Sequence, residues 1–138
     1  MIPDHLWRHP TRAAIDALAL RFGLPNTPDM QDWEHEVADS RRIDEFLAAY
    51  QSGILSDDER FTLMETIIQS FENLAEPLES DSRWPTVLEL LNTNIRLHAK
   101  TVWYWALPDE SDNANLWAVS LPLRPILETH RSELLALG

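Results

Sequence analysis

An all-helical fold is what the sequence predicts, on three observations. Apolar residues recur at spacings of three and four along most of the chain, proline and glycine fall at the ends of those runs, and no stretch demands a strand. The expected architecture is all-α, a single-domain bundle of five to six helices over residues 1–138, packed around a long central helix at about 83–106. The central segment carries the longest pattern: Trp84, Leu88, Leu91, Ile95, His98, Val102 and Trp105 alternate spacings of four and three, which stacks them on one face. Val87, Leu90, Leu97, Thr101 and Tyr104 widen that face. The opposite arc is narrow and holds Thr86, Glu89, Asn92, Thr93, Arg96, Lys100 and Trp103. A helix apolar over so much of its circumference needs several others around it.

The remaining elements follow in order. Residues 1–9 read as an extended arm that docks through Leu6 and Trp7. A first helix starts near Pro10 or Thr11, turns Ala14, Ile15, Leu18 and Phe22 inward, and stops at Gly23 before Pro25. Thr27 and Pro28 repeat the start signal, with Met30, Trp33 and Val37 as the next stripe. Asp39 or Ser40 is placed to cap a helix bearing Ile43, Phe46, Leu47 and Tyr50, and the phase over 28–52 fits either one helix or two. Ser56-Asp57-Asp58-Glu59 is a capping box with three acids at the positive end of the helix dipole. Phe61, Met64, Ile67, Ile68, Phe71 and Leu74 carry that helix inward. Ser82 is placed to cap the central helix, and the final helix is expected from about Leu123 to Leu137, which leaves Pro122 and Pro125 near its start.

Composition narrows the function classes. With 23 Asp plus Glu against 11 Lys plus Arg, the formal net charge is −12, so nucleic acid and anionic membrane are poor partners and a basic protein is a better one. Cysteine is absent, which removes disulfides, thiolate nucleophiles and Cys-based metal sites and fits a cytoplasmic protein. No leader-like h-region and no run near the roughly 18 apolar residues of a membrane span occurs.

Chemistry-bearing residues are few. His5 and His9 are four apart, but Pro10 argues against a helical metal site there. His35 lies between Glu34 and Glu36, which point to different helix faces. Asn94 and His98 project from the apolar arc beside Thr101; they read either as a satisfied polar cluster or as a pocket with His98 as general base. No nucleophile motif, phosphate loop or metal-ligand spacing accompanies them, so no catalytic residue, cofactor or metal is expected.

The helix after the capping box has a second row, Asp58, Thr62, Glu65, Gln69, Glu72 and Glu76, expected to face outward. Arg60 is the only basic residue between Asp58 and Glu76, so these acids lack the usual pairing. The candidate partner-binding residues are Asp57, Asp58, Glu65 and Glu72 on this ridge, Asp109, Glu110 and Asp112 in the acidic loop after Pro108, and Trp103 and Trp117 as aromatic anchors. Arg96 and Lys100 repel each other unless acids face them, which the Asp109 to Asp112 loop or Glu65 and Glu72 are expected to do.

Together with the stretch RIDEFLAAYQSGILSDDERFTLMETIIQSFENL, these features resemble the small acidic helical immunity proteins that bacteria pair with toxins of interbacterial competition. The resemblance is one of type and carries no diagnostic motif. It implies a cytoplasmic antitoxin, an inhibitor that blocks a cognate, often basic, toxin by direct binding. The alternatives are a small-molecule-binding or hydrolytic helical domain using His98 and Asn94, and a structural homo-oligomer subunit.

Overall fold

The computed structural model describes residues 1–138. It is helical throughout, with seven α-helices, four short 3-10 turns and no strand, and no helix is long and apolar enough to cross a membrane. Contacts group the chain into two compact units, residues 9–74 and residues 1–8 with 75–138.

In the unit of residues 9–74, α1 (Arg12–Phe22) starts where the Thr11 hydroxyl accepts the Ala14 amide at 3.1 Å. It ends at Gly23, whose left-handed backbone favours a residue without Cβ. The segment 28–52 forms two helices: α2 is one turn, Trp33–Glu36, and α3 (Ile43–Gln51) follows a 3-10 turn capped by Asp39. α4 (Asp57–Glu72) opens with the expected capping box. The Ser56 hydroxyl accepts the Glu59 amide at 3.1 Å, and the Glu59 carboxylate accepts the Ser56 amide at 2.8 Å.

α1, α2 and α3 all pack on α4. Phe61, Met64, Ile67, Ile68 and Phe71 are buried as the pattern predicts, each contributing roughly 1.5–3 kcal/mol relative to exposure. Thr62, Leu63, Glu65, Thr66 and Ser70 are buried as well. α4 is therefore enclosed around most of its circumference; of the segment at 83–106, residues 99–106 are buried as fully, whereas 84–93 are buried along one side only.

The second unit is built from α5 (Trp84–Thr93), α6 (Ala99–Ala106) and α7 (Ser120–Leu135), with α7 packed on both α5 and α6. The continuous central helix expected over 83–106 is thus two helices, broken by turn at residues 94–98. The cause is local. The Asn94 amide and its side-chain Nδ2 both donate to the Leu90 carbonyl at 3.0 Å, while the Asn94 carbonyl accepts from the amides of Leu97 and His98. An Asn side chain competing for backbone partners is a recognised reason for a helix to stop.

α7 begins at Ser120, earlier than expected, with Pro122 in its first turn and Pro125 inside it. Pro125 has no amide to offer the carbonyl of Leu121, a residue that lies exposed. The N-terminal segment joins this unit through buried Ile2 and Leu6 and through His5, whose Nε2 donates to the Leu134 carbonyl at 2.9 Å. Trp7, the other expected docking residue, stays 46% exposed.

Candidate functional site

α6 ends abruptly. Leu107 adopts φ 46° and ψ 57°, the left-handed region, at a cost of roughly 1–2 kcal/mol for an L-residue. Arg124 of α7 holds the turn: its Nε donates to the Ala106 carbonyl at 2.9 Å, and its Nη2 donates to the carbonyls of Leu107 at 2.5 Å and Glu110 at 3.0 Å. A cation at this position also complements the negative end of the α6 dipole. The turn brings Pro108, Asp109 and Glu110 back beside the helix. A pocket of about 320 Å³ results, lined by Met1, Ile2, Trp103, Tyr104, Leu107, Pro108, Asp109 and Glu110.

Three of the expected partner-binding residues, Trp103, Asp109 and Glu110, therefore meet at one pocket. The Asp109 carboxyl is held below the usual carboxylate range, first by its hydrogen bond to the Met1 ammonium and more weakly by the charge of Arg131. Both members of that pair are largely exposed, so water screens it. The Glu110 carboxylate accepts the Asp112 amide at 3.0 Å, and the Asp112 carboxylate accepts the Ala114 amide at 3.0 Å, which caps the 3-10 turn Asn113–Asn115.

Trp103 is not the surface anchor expected from the polar arc: it is 4% exposed. The break at 94–98 shifts the phase of α6 against α5, so an arc drawn through 84–105 as one helix misplaces it. The Arg131 guanidinium lies 5.1 Å from the Trp103 ring centroid, and the buried Trp103 indole Nε1 has no hydrogen-bond acceptor. Trp117 is partly buried and stacked on Tyr104, with centroids 5.3 Å apart, and tilts against Trp105 at 4.7 Å. The Lys100 ammonium lies 4.7 Å from the Tyr104 ring centroid and 5.9 Å from that of Trp7. No family model, curated protein or solved structure matches the chain.

The acidic ridge on α4 also differs from expectation. Asp57 is exposed and paired with Arg60 at 2.6 Å, and Asp58 and Glu72 are half-buried, but Glu65 is 0% exposed. It is hydrogen-bonded to His35 Nε2 at 3.1 Å. The covering element is α2, tied down further by the Thr66 hydroxyl donating to the Glu34 carbonyl at 2.7 Å. Just beyond α2, the Ser70 hydroxyl accepts the Asp39 amide at 3.0 Å. A buried carboxylate needs such partners. Glu65 is thus an internal strut rather than a contact residue.

Burial, backed by the nearby Glu65 charge, pushes the Glu34 carboxyl above its ordinary value. The native state then binds a proton more tightly than the unfolded chain. Stability falls as pH rises from the ordinary Glu range through the raised native value, and the penalty persists above it. Glu34→Gln is expected to raise the melting temperature at pH 7 and to leave it unchanged near pH 3. An equal shift at both pH values would show that Glu34 carries no such penalty.

His98 is 0% exposed, sits at the start of α6 and lines neither of the pockets described here. Asn94 lines a second pocket of about 310 Å³ with Thr93, Ile95, Arg96, Leu97 and Glu133. Arg96 is paired with Glu133 at 3.3 Å, not with the loop or α4 acids expected to face it. His130 bridges Glu133 at 2.9 Å and the Asn92 side chain at 3.0 Å. Sequence reading passed over this cluster, although His130 and Glu133 have the i, i+3 spacing that brings side chains together on a helix.

Proposed function

We propose that the chain is an acidic protein-binding module, an immunity protein or inhibitor that neutralises a basic effector in the cytoplasm by direct binding. The observation that supports it best is the charge surplus of −12, with two acids at the rim of an aromatic-walled pocket. Such a field raises the encounter rate with a basic partner and rejects acidic ones. The contact residues in this reading are Asp57, Asp58 and Glu72 on α4 and Asp109, Glu110 and Asp112 after α6. Glu65 and Trp103 act from beneath, holding the surfaces that carry these acids.

The experiment is capture from the native cell with the tagged protein, followed by reconstitution with the purified partner. A basic protein encoded beside this one, bound one-to-one and inactivated on binding, is the expected result. Two charge-reversal variants locate the contact: Asp58→Lys with Glu72→Lys in one, Asp109→Lys with Glu110→Lys in the other. At least one is expected to weaken binding tenfold or more and to flatten its salt dependence. If both leave affinity and salt dependence unchanged, these acids are not the contact.

A further inference from the structure

We infer that the pocket at the end of α6 receives an arginine side chain of the basic partner, an assignment that rests on the protein-binding reading above and narrows it to one site. The pocket has the two parts such a side chain requires. Trp103, Tyr104, Leu107 and Pro108 offer apolar and aromatic surface for the methylene stem, and Asp109 and Glu110 offer carboxylates for the head.

Charge complementarity selects this occupant. An anion is repelled by both rim acids and by the protein as a whole, and a purely apolar group would desolvate the two carboxylates without replacing their water. Cations already gather here from within the chain: Arg131 over Trp103, Lys100 over Tyr104, and the Met1 ammonium on Asp109. The last of these pairs is exposed and screened, so an incoming guanidinium displaces it readily. Arginine fits better than lysine because its planar fork engages carboxylates in pairs and stacks on rings, whereas an ammonium is a compact, strongly hydrated charge.

The test is a titration of the isotope-labelled protein with N-acetyl-arginine methylamide, followed by amide chemical shifts. Saturable shifts at residues 103–110 are expected, with binding at least tenfold weaker for the neutral citrulline analogue and for the variant carrying Asp109→Asn and Glu110→Gln. Equal binding of the citrulline analogue, equal or tighter binding of the lysine analogue, or unsaturable shifts spread over the acidic surface would each overturn the assignment. So would concentration-dependent shifts at 103–110 without any probe, which would mean that a second copy fills the pocket. The two levels separate cleanly. A basic partner captured equally by the protein and by the Asp109→Asn, Glu110→Gln variant sinks the pocket assignment alone. Saturable arginine binding with no basic partner captured supports the pocket and sinks the wider reading.

Discussion

Replacing His35 with alanine is expected to destabilise the unit of residues 9–74 by about 1.5–3 kcal/mol, the range for a hydrogen bond to a charged group. The Glu65 carboxylate is wholly buried, and the imidazole 3.1 Å away is part of what makes that burial tolerable. Taking away one partner leaves the desolvation of the other in place, so the loss stands above that of a hydrogen bond between neutral groups. The counterpart is a double variant, His35→Leu with Glu65→Leu, which is expected to recover most of the loss because two apolar groups of similar size need no water. Urea denaturation measures the stability, and hydrogen exchange at the α2 amides reports where the opening occurs. If His35→Ala unfolds at the midpoint of the unaltered protein, the pair contributes nothing and the docking of α2 must come from its other contacts.

Arg124→Ala is expected to cost about 3 kcal/mol, since three carbonyls at the end of α6 lose a charged donor at once. Arg124→Lys keeps the charge near the helix terminus but not the fork, and is expected to regain only about 0.3–1 kcal/mol. Leu107 offers an internal control. In the Arg124→Ala background the left-handed turn has lost its clamp, so Leu107→Gly should return about 1 kcal/mol by removing the Cβ penalty. Amide shifts caused by Arg124→Ala should concentrate at residues 103–110. A lysine variant as stable as the original would show that charge alone, not the forked geometry, holds the turn.

The fold class was legible because it depends on periodicity and punctuation, both local. Gly23, the Ser56–Glu59 capping box and the inward rows of α1, α3 and α4 lie where spacing and caps place them. The break at Asn94 was not legible for a physical reason: the apolar pattern reports which side of a segment is covered, and that side stays covered whether or not the hydrogen-bond ladder continues through it. Trp103 was misplaced by the same assumption. Glu65 failed differently. A carboxylate in an outward row looks solvated until a distant element covers it, and nothing within 57–72 says that the single turn at 33–36 does so. Asp109 and Glu110 stand out in the sequence as part of an acidic run after Pro108, while the pocket they border depends on Arg124 and Leu107, whose roles appear only once α6 and α7 are packed.

The division of the chain into units carries a kinetic consequence. Residues 9–74 are contiguous, so this unit can fold as soon as they have been synthesised. The other unit is discontinuous: Ile2 and Leu6 are buried in it, and His5 bonds to Leu134. Those early residues must wait for nearly the whole chain before their sites exist. The entropy of closing so long a loop grows only with the logarithm of its length, and early compaction of residues 9–74 shortens the distance to be closed. In a nascent chain, then, the order of completion runs against the order of synthesis for these residues, and a helix made long after His5 supplies the carbonyl it binds.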